Sequence, residues 1–361
     1  MAASAAQRRA AVIHHLRRGS LTILGGGAVG GLVAAHLAKG DRDVVLADGW
    51  FRHVEAVKRG RLITETVEQD FTVPVRALHL DELEAYGPAD VIVIAAKSYD
   101  TMWMARLARD HLAPQTVVVS AQNGMNDLAV ARIVGAERMV AGVVLFAAEL
   151  VGPGRVKRST PHSELALSFG ELGGEVVSAR VEELARMFAP LGEVQTTADA
   201  WPERWSKLTL NVMSNAMAGL TGYTTLNLWT SPGIVDVLVA IGHEAAAVAD
   251  ARGIRMATVL GRITHHNLLN ATKVSHPEWH LVRDALIDAA GTRTGKRENT
   301  PSLLQDIQKG RRTEIDYLNG WICAQAADLG MPATVNGIVV DEVRRIELGL
   351  ARGPLPAMLA T

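Results

Sequence analysis

Over the first half of the chain, short continuous apolar runs alternate with amphipathic stretches; from about Glu203 onward the periodicity is almost wholly helical. The runs Leu21 to Leu24, Val44 to Ala47, Val73 to Ala77, Asp90 to Ala96, Thr116 to Ser120, Met139 to Ala148 and Glu164 to Phe169 predict strands. Asp90 to Ala96 has the unbroken apolar texture of a strand buried on both faces of a parallel sheet. Helices are predicted over Leu32 to Gly40, Asp81 to Ala85 and Glu182 to Phe188. After the change of texture near Asp199 to Pro202 come helices at Lys207 to Ala218, Ile234 to Arg252, Met256 to Ala271, Ser302 to Gln308, Thr313 to Leu329 and Val335 to Leu348. Pro232, Pro277, Pro301 and Pro332 punctuate them. The predicted architecture is an α/β N-terminal dinucleotide-binding (Rossmann-type) domain over 21–199, followed by an all-α C-terminal domain over 200–350 for substrate and dimerisation. Residues 1–20 are expected to be a disordered extension and 351–361 a tail.

Composition narrows the class. A chain of 361 residues, 48% hydrophobic, 21% charged and with net charge −1, has length for two cores and no excess charge to draw a polyanion. Nucleic acid and a membrane are therefore not expected as partners, and no apolar run is long enough to span one. The single cysteine, Cys323, excludes an intrachain disulfide framework and a cysteine-based zinc site and fits a reducing cytoplasm. The adjacent pairs His14-His15 and His265-His266 lack metal-ligand spacing, so no metal is expected.

The run Leu21 to Leu24 leads into Gly25-Gly26-Gly27-Ala28-Val29-Gly30-Gly31, then a helix, then a second strand ending at Asp48. Strand, glycine turn, helix, strand and acid make up the full dinucleotide-binding context. Gly25 permits the tight turn, Gly27 lets the backbone approach a pyrophosphate, and Gly30 lets the helix close on the strand. The helix N-terminus offers N–H groups to the phosphates, which makes Gly25, Gly27, Ala28, Val29 and Gly30 the cofactor-binding candidates. Asp48 would accept hydrogen bonds from ribose hydroxyls and repel a 2′-phosphate, which favours NAD(H). Arg52, Lys58 and Arg59 stand close enough to rescue a phosphate, so NADP(H) stays open. Lys97 and Asn123 follow the strand-like runs ending at Ala96 and Ser120, where the ligands of open parallel sheets lie; ordinary turn chemistry accounts for each residue alone.

The other concentration of chemistry is Trp205-x-Lys207-x3-Asn211-x3-Asn215. On a helix these three polar residues share one face. Burying an ammonium and two amides is costly without partners, so the face either lines a cleft for a polar ligand or lies in solvent. Further on stand Asn299, Ser302-x3-Asp306 and Thr313-Glu314-Ile315-Asp316-Tyr317-Leu318-Asn319-Gly320. Glu314 is expected early in a helix, where the dipole alone would stabilise it, and Ser302 has the position of an N-cap.

Taken together, the glycine turn, Lys97, Gln122-Asn123-Gly124, the ladder followed by Leu220-Thr221-Gly222, Ser302-x3-Asp306 and the Thr313 to Gly320 string resemble the ketopantoate reductase family, the 2-dehydropantoate 2-reductases. The resemblance runs from about Leu21 to about Glu347. It implies that Lys207 is the general acid protonating a carbonyl oxygen as hydride arrives from the nicotinamide, and that Glu314 orients the substrate. It implies that Asn211, Asn215, Asn299 and Ser302 hold the substrate's oxygens, that Lys97 and Asn123 stand where cofactor and substrate meet, and that the enzyme is a homodimer. Burial would lower the Lys207 pKa and a close Glu314 would raise it.

Three features depart from the family pattern. Asp48 stands where members often carry a base, which questions the usual NADPH preference. Pro301-Ser302-Leu303 replaces the usual Ser-Ser-Met. The segment 273–300, with Trp279 and the basic stretch Arg293 to Arg297, looks long; it is either a mobile solvated loop or part of a changed pocket for a substrate bulkier than ketopantoate. Three functions follow: a reductase of a 2-oxo acid such as 2-dehydropantoate, an NAD-dependent dehydrogenase oxidising a different secondary alcohol or hydroxy acid, and a dinucleotide-binding sensor without turnover. A small-molecule carbonyl or alcohol is the substrate in the first two. A proton donor, which a sensor does not need, argues against the third.

Overall fold

The computed structural model describes residues 19–350. The expected tail 351–361, and the expected extension 1–20 apart from Gly19 and Ser20, lie outside the described residues. The chain divides after Ala200 into two compact units.

The first unit opens with β1 (Leu21–Leu24), α1 (Ala28–Lys39), β2 (Val44–Asp48), α2 (Phe51–Arg59), β3 (Leu62–Glu65), β4 (Phe71–Val73), β5 (Arg76–His79) and the short α3 (Leu83–Tyr86). It continues with β6 (Ala89–Ile94), α4 (Thr101–Asp110), β7 (Leu112–Ser120), α5 (Asp127–Val134), β8 (Met139–Val144), β9 (Ala148–Gly152), β10 (Arg155–Arg158), β11 (Leu165–Glu171), α6 (Ala179–Phe188) and β12 (Glu193–Asp199). The main sheet has the order β12-β11-β8-β7-β6-β1-β2-β5. β1 pairs in parallel with both β2 and β6, so the strand order reverses at β1 and the glycine turn leaves the sheet at that switch point. The central strands are apolar throughout because both faces are covered: Val91 and Val93 enter one core, Ile92 and Ile94 the other.

Two apolar runs expected as single strands are split. Val73 to Ala77 is interrupted at Pro74, which has no amide for a ladder; Phe71–Val73 joins a second, four-stranded sheet and Arg76–His79 the edge of the main one. Met139 to Ala148 ends as a main-sheet strand at Val144, and the chain resumes at Ala148 in the second sheet, order β4-β3-β10-β9. That small sheet packs on α1 so closely that a Cβ at Gly31 would lie 2.7 Å from Val156 Cγ1.

The second unit is helical: α7 (Trp201–Thr221), α8 (Thr225–Thr230), α9 (Pro232–Ala251), α10 (His265–Asn270), α11 (Pro277–Ala290), α12 (Ser302–Gln308), α13 (Asn319–Asp328) and α14 (Thr334–Glu347). Its only extended pairing among the described residues is the isolated bridge Val259 to Ile263. Four expectations are corrected here. The helix predicted from Met256 to Ala271 begins only at His265, after a turn with Leu260 and Gly261 at positive φ; Thr264 caps it, accepting from the Asn267 amide. The helix predicted from Thr313 to Leu329 is broken: Ile315–Tyr317 is a 3-10 turn, Leu318 leaves helical geometry (φ −109°, ψ −98°), and α13 starts at Asn319. Glu314 therefore precedes a turn and is not a first-turn helical acid. Ser302 is the first helical residue behind Pro301, and caps nothing. The segment 273–300 is no mere loop, since half of it is α11, seated by buried Trp279, whose Nε1 donates to Asp236 at 3.0 Å. No helix among the described residues is long and apolar enough to cross a membrane.

Candidate active site

The glycine turn is built by what its residues lack. Gly25 has φ +103°, and a Cβ there would meet the backbone of Ala95 and Ala96 at 2.7 to 2.9 Å. At Gly30 a Cβ would lie 1.9 Å from the Gly25 carbonyl oxygen, so α1 approaches β1 only because that atom is missing. Gly27 is the opposite case: a Cβ there would meet nothing within 4 Å. It is the N-cap of α1, without a side-chain cap and with no acid in the first turn, which leaves the first amides, those of Ala28 and Val29 among them, for an anion. These residues fit a dinucleotide's diphosphate.

Asp48 closes the turn from β2. Its Oδ2 accepts from the Gly26 amide and its Oδ1 from the Trp50 amide, both at 2.6 Å. Of the nearby cations, Lys58 binds both carboxylate oxygens of Glu82 at 2.6 to 2.7 Å and Arg59 pairs with Glu55 at 3.2 Å. Buried His53, whose pKa is lowered chiefly by burial, accepts the Gly154 amide at Nδ1 and stacks on Trp50. It thereby fastens the second sheet to the start of α2.

At the carboxyl ends of β6 and β7, Lys97 and Asn123 are both half-buried. A network that the sequence reading missed joins their loops. Gln122 Nε2 donates to the Ala96 carbonyl at 3.0 Å and to Thr101 Oγ1 at 2.9 Å. Asn126 Nδ2 donates to the Asn123 carbonyl and to Ser98 Oγ, which itself donates to the Asn123 carbonyl. The only signal in the sequence was the density of small polar residues after each strand.

In the helical unit, α7 carries Lys207, Asn211 and Asn215 on one face; the two asparagines are buried and Lys207 is half-buried. Asn215 Nδ2 lies 3.2 Å from Ser302 Oγ. The approach is possible because α12 crosses α7 at a glycine: a Cβ at Gly219 would lie 2.3 Å from Leu303 Cδ2. Asn299 is tied by its backbone, its carbonyl accepting the Thr225 amide at 3.3 Å. Glu314 is 4% exposed, and the turn after it is closed by the amides of Tyr317 and Leu318, both donating to its carbonyl. Burial first and Arg293 second lower the Lys207 pKa to about 8; Glu314 is not among the groups that shift it. The opposing pulls expected from sequence thus resolve toward lowering, with an arginine from the 273–300 segment as the second cause.

This arrangement can be set beside known proteins. Residues 21–173 match the family model described as ketopantoate reductase PanE/ApbA, and residues 199–347 match that of its C-terminal part. The chain belongs to the ketopantoate reductase family. It is 26% identical over 317 residues to a 2-dehydropantoate 2-reductase of Streptococcus pyogenes, covering 86% of this chain and 92% of that one. It is 28% identical over 331 residues to the enzyme of that name from Halobacterium salinarum, covering 90% and 97%. Among solved structures, the 2-dehydropantoate 2-reductase of Geobacter metallireducens superposes with TM-score 0.74 at 26% identity, covering 90% of this chain and 99% of that one. A D-mandelate dehydrogenase solved with NADH and anilino(oxo)acetate superposes at 0.77 with 21% identity, covering 91% and 99%, a likeness of fold alone. Membership makes the chain a nicotinamide-dependent oxidoreductase acting on a carbonyl and its CH–OH counterpart.

Proposed function

We infer that the protein reduces the carbonyl of a 2-oxo acid with NADH, 2-dehydropantoate being the family's default substrate, and that Lys207 is the general acid. The observation that carries this reading is a lysine with a pKa near 8 on the same helix face as two buried amides, one of them bonded to Ser302. Reduction places negative charge on one oxygen. An ammonium near neutrality in pKa both stabilises that charge and gives up its proton readily. When bound, the dinucleotide supplies the hydride. Asn211, Asn215, Asn299 and Ser302 hold the substrate's oxygens, Glu314 accepts from its hydroxyl, and Lys207 delivers the proton to the former carbonyl oxygen. Lys97 and Asn123 belong to the cofactor side of the chemistry.

The preference for NAD(H) rests on Asp48. Its carboxylate occupies the end of β2, and the neighbouring Lys58 and Arg59 are already neutralised by Glu82 and Glu55. A 2′-phosphate would meet that carboxylate with two of its three candidate counter-ions engaged.

The test is a panel of 2-oxo acids, from 2-dehydropantoate to bulkier aryl and branched members, assayed by nicotinamide absorbance with NADH and NADPH. Turnover with NADH at the higher kcat/KM is expected; a clear NADPH preference would overturn the cofactor assignment, and silence across the panel despite NADH binding would favour a sensor. Gel filtration of the same preparation checks the expected homodimer.

A further inference from the structure

The turn that presents Glu314 lacks a helix to hold it, yet its far end is fixed by a fully buried amide. Asn319, 0% exposed, follows the break at Leu318. Its Nδ2 donates to the Val212 carbonyl at 3.0 Å and to Asn336 Oδ1 at 2.9 Å. Val212 lies on α7, immediately after Asn211 of the ladder. Asn336, also 0% exposed, is held in turn: its Nδ2 donates to Glu244 Oε2 at 2.7 Å and to the Ile241 carbonyl at 3.3 Å, and Glu244 accepts the amides of Val335 and Asn336 at 2.9 Å. The orientation of the Asn336 amide is thereby fixed, and with it the acceptor that Asn319 uses.

We propose that Asn319 is a positioning residue for the reaction: it locks the turn carrying Glu314 to the ladder helix at Val212, next to Asn211, so that the substrate-orienting carboxylate and the oxygen-holding amides keep one spacing. The chain between Glu314 and Asn319 is a single 3-10 turn. The turn is also tied to α14, where Asp316 accepts from Arg344 Nε and Nη2 at 3.0 and 2.6 Å and the Thr313 amide donates to Glu347 at 2.6 Å; the Asn319 amide is what joins it directly to α7. That join lies in an interior where an amide left unpaired is costly. Displacing a group by about 1 Å in such a constellation costs about 10²-fold in rate. The inference rests on Glu314 and the ladder acting on substrate.

The experiment compares Asn319→Leu and Asn319→Asp, which keep the branched heavy-atom shape and remove the paired donor, with Asn336→Leu, which leaves the Asn319 to Val212 bond in place. Tm, kcat, KM for each substrate and the Kd for NADH are measured below the melting range. The expected result is a kcat loss of about 10 to 10²-fold in both Asn319 variants, with NADH Kd unchanged. Asn336→Leu should lose comparable Tm but less than half as much kcat on a logarithmic scale. Should Asn319→Leu fail to fold, Asn319→Asp carries the comparison. Kcat losses that simply follow Tm across the three variants, or Asn319 variants with parental kcat, overturn the inference alone. A parent chain without turnover on the panel overturns the functional reading and this inference with it.

Discussion

The glycine turn after β1 and the polar ladder on α7, on which the proposed function rests, are shaped in opposite ways. In the turn the backbone does the work: Gly25 and Gly30 are empty because neighbouring backbone fills the space, and Gly27 is empty with nothing beside it. Amides at a helix end need no burial to be effective, because the peptide dipole already points at the ligand. On the ladder side chains do the work. Asn211 and Asn215 are buried on a helix whose own backbone bonds are satisfied, so they need outside partners such as Ser302 and bracing such as Asn319. One site is preorganised by the absence of atoms and the other by a network of them. Loss of a single atom group should therefore act differently in the two.

The largest effect is expected at the ladder. Lys207→Ala should lower kcat by about 10² to 10⁴-fold, the range for a general acid, with NADH Kd, measured by fluorescence titration, within twofold of the parent. A variant that keeps near-normal kcat would break the comparison, because it would leave the ladder without its chemical role. Next in size is Asp48→Ser, which tests the turn as a charge reader. It should narrow the kcat/KM ratio of NADH to NADPH by roughly 10²-fold, below the ~4 kcal/mol of two unit charges about 4 Å apart near a surface. An unchanged ratio would move the discrimination elsewhere.

The two sites also differ in how far they were legible. The steric demands at Gly25 and Gly30 were legible because they are local and glycine advertises them. The strands beside it were read because burial on both faces makes them continuously apolar, as in Val91 to Ile94. The ladder's spacing was legible, but its setting was not. Asn319 reaches Val212 across 107 residues and Asn336 reaches Glu244 across 92. Neither link has a local signature. Met256, Val259 and Ile263 show why periodicity misled: all three are buried at helix-like spacing, yet they lie in an irregular segment that folds back at Leu260. The four short strands of the second sheet went unread or were merged into longer runs, since strands of three to five residues with exposed positions carry little pattern.

A smaller pair of effects separates empty space from filled space within the turn. Gly27→Ala adds a methyl where the protein has no atom, so Tm should stay within about 1 °C while NADH affinity falls by about tenfold, roughly the 1.4 kcal/mol of one poorly accommodated contact. Gly30→Ala adds the same methyl against the Gly25 carbonyl and should cost about 1–3 kcal/mol of stability, seen as a lowered Tm even without cofactor. Equal effects of the two substitutions on Tm would mean that the turn is not divided in this way.

The smallest effect probes the ladder's electrostatics. Lys207 has its pKa lowered to about 8, by burial first and by Arg293 second. In the direction of carbonyl reduction the ammonium is the active form. Kcat should hold below pH 8 and fall tenfold per unit above it, whereas alcohol oxidation, which needs the neutral amine, should rise through the same value. Arg293→Gln removes the lesser of two lowering influences and leaves burial in place, so the limb should move upward. The direction is what matters: a cation that disfavours another cation can only raise the lysine pKa by leaving. If the limb stays near 8 in Arg293→Gln, burial alone tunes Lys207. The ladder would then resemble the turn, with its chemistry set by what excludes water and not by the charged groups around it.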